Sequence, residues 1–255
     1  IQNSILPQLP PQLCGVELSH VYLPATEVGG DFYDVLALEG GRLAVAVGDV
    51  AGHGVSSGLV MSMAKSALAV QVTFNPEVAA VFTTLNRMVF QSARKRLLAT
   101  LCYALIDPVR REMRFASAGH PFPYRISRLG KVESLESVAY PLGVREFLDI
   151  DSHTARLDPG DIIFLCSDGV VEARKEGSDE HFGFDRLERV LADFGGHGAS
   201  VVRDKVLAAL DSFTQGAERE AQGHEGNHLD LGLIQSLLGH LGLLVHDPKS
   251  RRGIV

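Results

Sequence analysis

Two apolar runs flank a short polar turn near the start of the chain. The first follows Gly29-Gly30-Asp31-Phe32-Tyr33-Asp34, the second ends in Gly48-Asp49-Val50, and Glu39-Gly40-Gly41 lies between them. Apolar runs of this length joined by a glycine-bearing turn predict a β-hairpin. With the turn centred near Gly40, paired residue numbers sum to about 80, which sets Asp31 opposite Asp49, Tyr33 opposite Val47 and Val35 opposite Val45. Farther along, Asp161 to Gly169 follows an Asp158-Pro159-Gly160 turn as a continuous apolar stretch, the pattern of a strand covered on both faces. Between these strands the period changes. Leu59, Val60 and Met63 share one face of a helix capped at Ser56-Ser57 and running to about Val72. Asn75-Pro76 opens a second helix carrying Val78, Val81, Phe82, Leu85 and Met88. Further strands are predicted over 99–106, 112–117, 123–126 and 152–157, and further helices over 185–194 and 200–213. Strand groups alternating with helices predict an α+β layered sandwich.

The hairpin register has a chemical consequence. It places two carboxylates, Asp31 and Asp49, across one ladder, where like charges repel unless something compensates them. Hard divalent cations are the partners that oxygen ligands select. A single Asp beside glycine is most often a turn residue, and Ser167-Asp168-Gly169 alone reads that way. The delivery of Asp168 by a buried strand nevertheless makes it a third candidate, with a glycine after it that permits close approach.

Composition narrows the classes. The chain has 255 residues, 45% of them apolar, and a net charge of −7. That is enough for one domain with a sizeable core, and it speaks against nucleic acid as a partner, since Arg94-Lys95-Arg96 and Arg110-Arg111 are short clusters that read as solvated surface. Three cysteines leave one unpaired in any arrangement, and Cys102 and Cys166 lie in apolar runs as small hydrophobes, which fits a reducing cytoplasm. No run of about 18 consecutive apolar residues suggests a membrane span. The chain starts at Ile1, and Ile1 to Leu9 reads as the end of an amphipathic linker helix stopped by Pro10-Pro11. Residues 1–12 are therefore expected to be the close of a linker from an upstream domain.

Five motifs occur in one order: VGGDFYD at 28–34, GDVAGHG at 48–54, SAGHPFP at 117–123, YPLGV at 140–144 and LCSDGVVEAR at 165–174. The series resembles the catalytic domain of PPM-type (protein phosphatase 2C-like) serine/threonine phosphatases, in the bacterial SpoIIE/RsbU-type branch. The hairpin motif is not that of the GGDEF cyclases, because Phe32 follows Asp31 directly. The resemblance implies two stacked antiparallel sheets flanked by helices, an αββα sandwich, over residues 13–234. It implies a binuclear centre of two Mn²⁺ or Mg²⁺ ions held by Asp31, Asp49, the backbone carbonyl of Val50 and Asp168, with Asp49 bridging. His53 and His120 are candidate general acids or supporting residues, and Asp34 a carboxylate behind the ligands.

The chain departs from the family at its end. Members carry an Asp-Asp pair opening the last strand, and no such pair follows Phe213. Asp230 is the nearest substitute, although alternation of Leu231, Leu233 and Ile234 puts Leu229 at the ligand position. His224 and His228 lie four apart in a glycine-rich stretch. Residues 235–255 read as an atypical tail, and Leu231 to Val245 fits a terminal helix as well as a strand. The function implied is hydrolysis of a phosphoserine or phosphothreonine on a regulatory protein, such as an anti-sigma-factor antagonist. An upstream sensor or receiver domain and a homodimer belong to the same expectation. The missing pair keeps open a binding module that retains the fold without turnover.

Overall fold

The predicted hairpin forms with the predicted register. In the computed structural model, which describes residues 5–23, 29–92, 97–215 and 240–246, strands β3 (Phe32–Leu38) and β4 (Arg42–Val50) pair Tyr33 with Val47 and Val35 with Val45. Pairing continues past the end of β3, because the Val50 amide donates to the Gly30 carbonyl at 3.2 Å. Asp31 and Asp49 thus sit at the open end of the ladder.

Around this hairpin β5 (Ala99–Asp107), β6 (Glu112–Ala118) and β9 (His153–Arg156) complete a five-stranded antiparallel sheet in the order β3-β4-β5-β6-β9. Helices α1 (Val55–Phe74) and α2 (Val78–Ser92) pack on it. The second sheet holds β1 (Gln12–Leu13), β2 (Val16–Tyr22), β7 (Tyr124–Ile126), β8 (Val132–Ser134), β10 (Ile162–Cys166) and β11 (His240–His246), in the order β1-β2-β11-β10-β7-β8. Its outer helices are α4 (Gly183–Asp193) and α5 (Ala199–Thr214). The layers follow from strands apolar on both faces. In β10, Ile163 and Leu165 join the core between the sheets, while Ile162, Phe164 and Cys166 join the core beneath α4 and α5.

Three expectations change. Helix α1 starts at Val55 after Gly54, and Ser57 is buried inside its first turn, its Oγ donating to the Gly54 carbonyl at 2.9 Å, so neither serine caps it. The segment before β1 is not helical over residues 7–10, since Pro7, Pro10 and Pro11 lack amide donors. Leu6 is buried there, and the Pro7 carbonyl accepts from the Tyr33 hydroxyl at 3.0 Å. Finally, residues 240–246, which the sequence assigns to a tail and allows to be helical, form β11 between β2 and β10, with Val16 paired to His246 and Cys166 to Leu241. The apolar run His240-Leu241-Gly242-Leu243-Leu244-Val245 meets two bare strand edges there, and their unpaired amides and carbonyls decide for strand over helix. The domain therefore extends beyond residue 234. Arg94-Lys95-Arg96, His224, His228, Leu229, Asp230 and the Leu231–Ile234 alternation lie outside the described residues.

By length and composition α1 is, among the described residues, the one helix apolar enough to cross a membrane. It packs instead against β3, β4 and α2.

Candidate metal centre

Backbone geometry at the open end of the hairpin depends on one residue without a side chain. A Cβ on Gly30 would stand 2.0 Å from the Val50 carbonyl oxygen and 2.8 Å from Asp49 Oδ1. Glycine is required there by close approach. Opposite Phe32, Gly48 leaves room for the Phe32 ring, whose atoms lie 2.8 Å from where a Cβ would be. These two contacts bring the Val50 carbonyl and the Asp49 carboxylate against the Gly30-Asp31 segment.

From the other sheet, β10 ends at Cys166, and Asp168 opens the single turn α3 (Asp168–Val171), with its side chain exposed. Asp31, Asp49 and Asp168 interact electrostatically. Burial first, then the charges of Asp49 and Asp168, push Asp31 from 3.8 up to about 7. Burial and Asp168 push Asp49 up to about 6, opposed by the backbone at Val50. Two half-buried carboxylates that resist ionisation beside a third are a site of surplus negative potential.

The donor set, carboxylate and carbonyl oxygens, fits Mg²⁺ or Mn²⁺, and the cradle at Gly30 fits the Val50 carbonyl as one of them. Among the described residues, no three His, Cys, Asp or Glu side chains converge into a ready-made ligand cage. Asp49 and Asp168 are nevertheless near enough to raise the pKa of Asp31, and Asp168 near enough to raise that of Asp49.

The remaining candidates separate by position. His120 is buried and its Nδ1 lies 2.8 Å from Thr100 Oγ1, while Ser117 Oγ donates to the His120 carbonyl at 2.7 Å. Burial drives its imidazole down to about 3, with the Cys166 backbone opposing weakly. The turn that carries it needs Gly119, at φ +65, whose missing side chain leaves space for Pro141, 2.5 Å from where a Cβ would be. His53 is exposed in the loop before α1. Asp34, three residues after Asp31, points to the opposite face of the strand. Both Asp34 and Lys65 are buried, and Lys65 Nζ donates to Asp34 Oδ2 at 2.6 Å and to the Tyr33 carbonyl at 2.9 Å. Asp34 therefore anchors α1 to the strand that carries Asp31.

Sequence reasoning passed over Gly30, Thr100 and Lys65. The signal for Lys65 was present: it stands within the buried stripe Met61, Lys65, Leu68 and Val72 of α1, where an ammonium needs an anion.

The family model for Stage II sporulation protein E (SpoIIE) matches residues 39–220. The chain belongs to the SpoIIE family. It is 30% identical over 177 residues to phosphoserine phosphatase RsbU of Bacillus subtilis, a match covering 69% of this chain and 52% of RsbU. Protein IcfG of Synechocystis is 25% identical over 84% of this chain and 38% of its own length. The chain thus spans about half or less of these relatives. Among solved structures, the SiaA-PP2C domain of Pseudomonas aeruginosa superposes with a TM-score of 0.76 at 22% identity, covering 95% of this chain and 91% of that one. The fold is accordingly that of PP2C-like domains. RsbX, at a TM-score of 0.56 and 17% identity, covering 90% of this chain and 92% of that one, was solved in complex with magnesium.

Proposed function

We propose that this SpoIIE-family domain is a metal-dependent phosphatase that hydrolyses phosphoserine or phosphothreonine on a bacterial regulatory protein. The observation that carries the reading is the hairpin register that sets Asp31, Asp49 and the Val50 carbonyl together at the open end of one ladder, with Asp168, at the end of a strand of the other sheet, near enough to raise both aspartates. The similarity to RsbU supports it. The family resemblance favours an anti-sigma-factor antagonist as the substrate, an upstream sensor as the source of control, and the cytoplasm as the compartment. The last agrees with three unpaired cysteines.

In this reading Asp31, Asp49, the Val50 carbonyl and Asp168 would hold the Mn²⁺ or Mg²⁺ ions, with Asp49 placed to serve both. Bound divalent ions supply an activated water and offset charge on the phosphoryl oxygens. Gly30 keeps the Val50 carbonyl and the Asp49 carboxylate against the Asp31 segment. His120 remains a neutral hydrogen-bonding group at neutral pH, because its pKa is about 3, and so is not a cationic proton donor. Cys102 and Cys166 are buried with pKa values pushed upward, which removes a thiolate nucleophile from consideration.

The test is release of phosphate from a phosphoserine peptide and from p-nitrophenyl phosphate. Turnover should need Mn²⁺ or Mg²⁺, stop with chelator, and be lost in Asp168→Asn. Hydrolysis that persists in chelator overturns the reading. Because no Asp-Asp pair follows Phe213, a binding module is the second reading. Metal-dependent binding of a phosphoprotein without turnover at any manganese concentration would establish it.

A further inference from the structure

A cleft of about 770 Å³ runs outward from Asp168, between the turn carrying His120 and the start of α4. Its walls carry Glu136, Glu172 and Glu188 beside Asp168, and no Lys or Arg lines it among the described residues. Glu136, Glu172 and Glu188 are exposed, and none forms an ion pair with a described Lys or Arg. Glu188 accepts only the Tyr124 hydroxyl, at 3.1 Å. Two aromatic rings, Phe122 and Phe184, add an apolar wall, and Phe184 is 49% exposed at the start of a helix that buries Leu187 and Leu191 fully. An exposed aromatic next to unpaired charges marks a surface kept for recognition.

His120 lines the same cleft, with its Nδ1 edge 2.8 Å from the Thr100 hydroxyl and the Cys166 backbone as a further partner of the ring, so this wall is held in place from two sides.

We propose that this cleft binds the polypeptide flanking the phosphorylated residue and selects substrates that present a lysine or arginine, beside an apolar side chain, next to the phosphoserine. The inference rests on the phosphatase reading above. The two parts of the substrate are then sorted by charge: the phosphate goes to the cation site at Asp31, Asp49 and Asp168, and the basic flank goes to the glutamates beyond. An acidic flank meets repulsion in the cleft. Exposed ion pairs are individually weak, so two of them together correspond to about a tenfold preference, falling as salt rises.

The experiment compares three fluorescein-labelled phosphoserine peptides, with lysine, glutamine or glutamate flanks and a common apolar residue, read by anisotropy in manganese and by kcat/KM. The lysine peptide should be favoured over the glutamate peptide by about tenfold at low salt, and Glu136→Lys with Glu172→Lys should reduce or invert that ratio. Phe184→Ala should weaken all three peptides. Equal affinity for the three peptides, or a preference that the two charge reversals leave unchanged, overturns the proposal. If p-nitrophenyl phosphate and all peptides resist hydrolysis while the charge preference in anisotropy persists, the phosphatase reading falls and the groove stands.

Discussion

Replacing the Asp49 carboxylate by an amide separates two consequences of one charge. Asp49→Asn is expected to abolish metal-dependent turnover more completely than any other single change, because it removes the one ligand assigned to both ions. It should also steady the metal-free fold by on the order of 1 kcal/mol, since it relieves repulsion across the ladder. The pH dependence has a definite sign. Asp31 and Asp49 have folded-state values of about 7 and about 6 against an ordinary 3.8, so the folded state holds protons that the unfolded state releases. Their contribution is fully present below the ordinary value and is lost as pH rises through the raised ones. In chelator, melting temperature should therefore fall between about pH 4 and pH 7, and Asp49→Asn should flatten that slope. A melting profile that rises over this window would contradict the assignment. Manganese affinity should climb over the same range, as protons and metal compete for the carboxylates. Gly30→Ala should cost on the order of tenfold in that affinity, measured by calorimetry, with the circular dichroism spectrum retained.

Between elements, the Lys65–Asp34 pair is the most consequential single contact, joining α1 to β3 inside the core. Lys65→Met leaves Asp34 buried without its cation and should lower unfolding free energy by about 3–5 kcal/mol in urea titrations, whereas Lys65→Met with Asp34→Leu should recover much of the loss. A double variant no better than the single one would mean that the pair is not the source. This contact also marks where the sequence was legible. The β3–β4 register follows from apolar runs and one glycine turn, and it places Asp31 opposite Asp49 from the sequence alone. Asp168 followed from a strand apolar on both faces. Lys65 was readable as a charge within an apolar stripe, but its partner was not, because spacing along one helix does not say which strand lies beneath it. The helix start at Val55 was missed because Ser57 uses its hydroxyl inside the first turn. The last strand was misplaced because Leu231 to Val245 is apolar over more than one strand length, and only the edges of β2 and β10, far away in sequence, choose the segment that pairs.

At the scale of the whole molecule, β11 joins the halves of the second sheet. It lies between β2 and β10 and makes contact with α5. A chain ending at Gln215 should therefore fail to unfold cooperatively on heating and should bind a hydrophobic dye, since the edges of β2 and β10 lose their pairing; a sharp melt in that truncation would show that β11 is dispensable. The same arrangement orders events in time. Because Val16 pairs with His246, a strand made early in the synthesis of this domain waits for one made late in it. Until β11 is made, the five-stranded sheet with α1 and α2 can assemble from neighbouring segments, while β2 and β10 stand apart with unsatisfied amides. Such long-range closure is slow, and the nascent chain is exposed to aggregation until it happens. Expression yield should accordingly respond to chaperone supply and growth temperature more strongly than the stability of the finished domain would suggest.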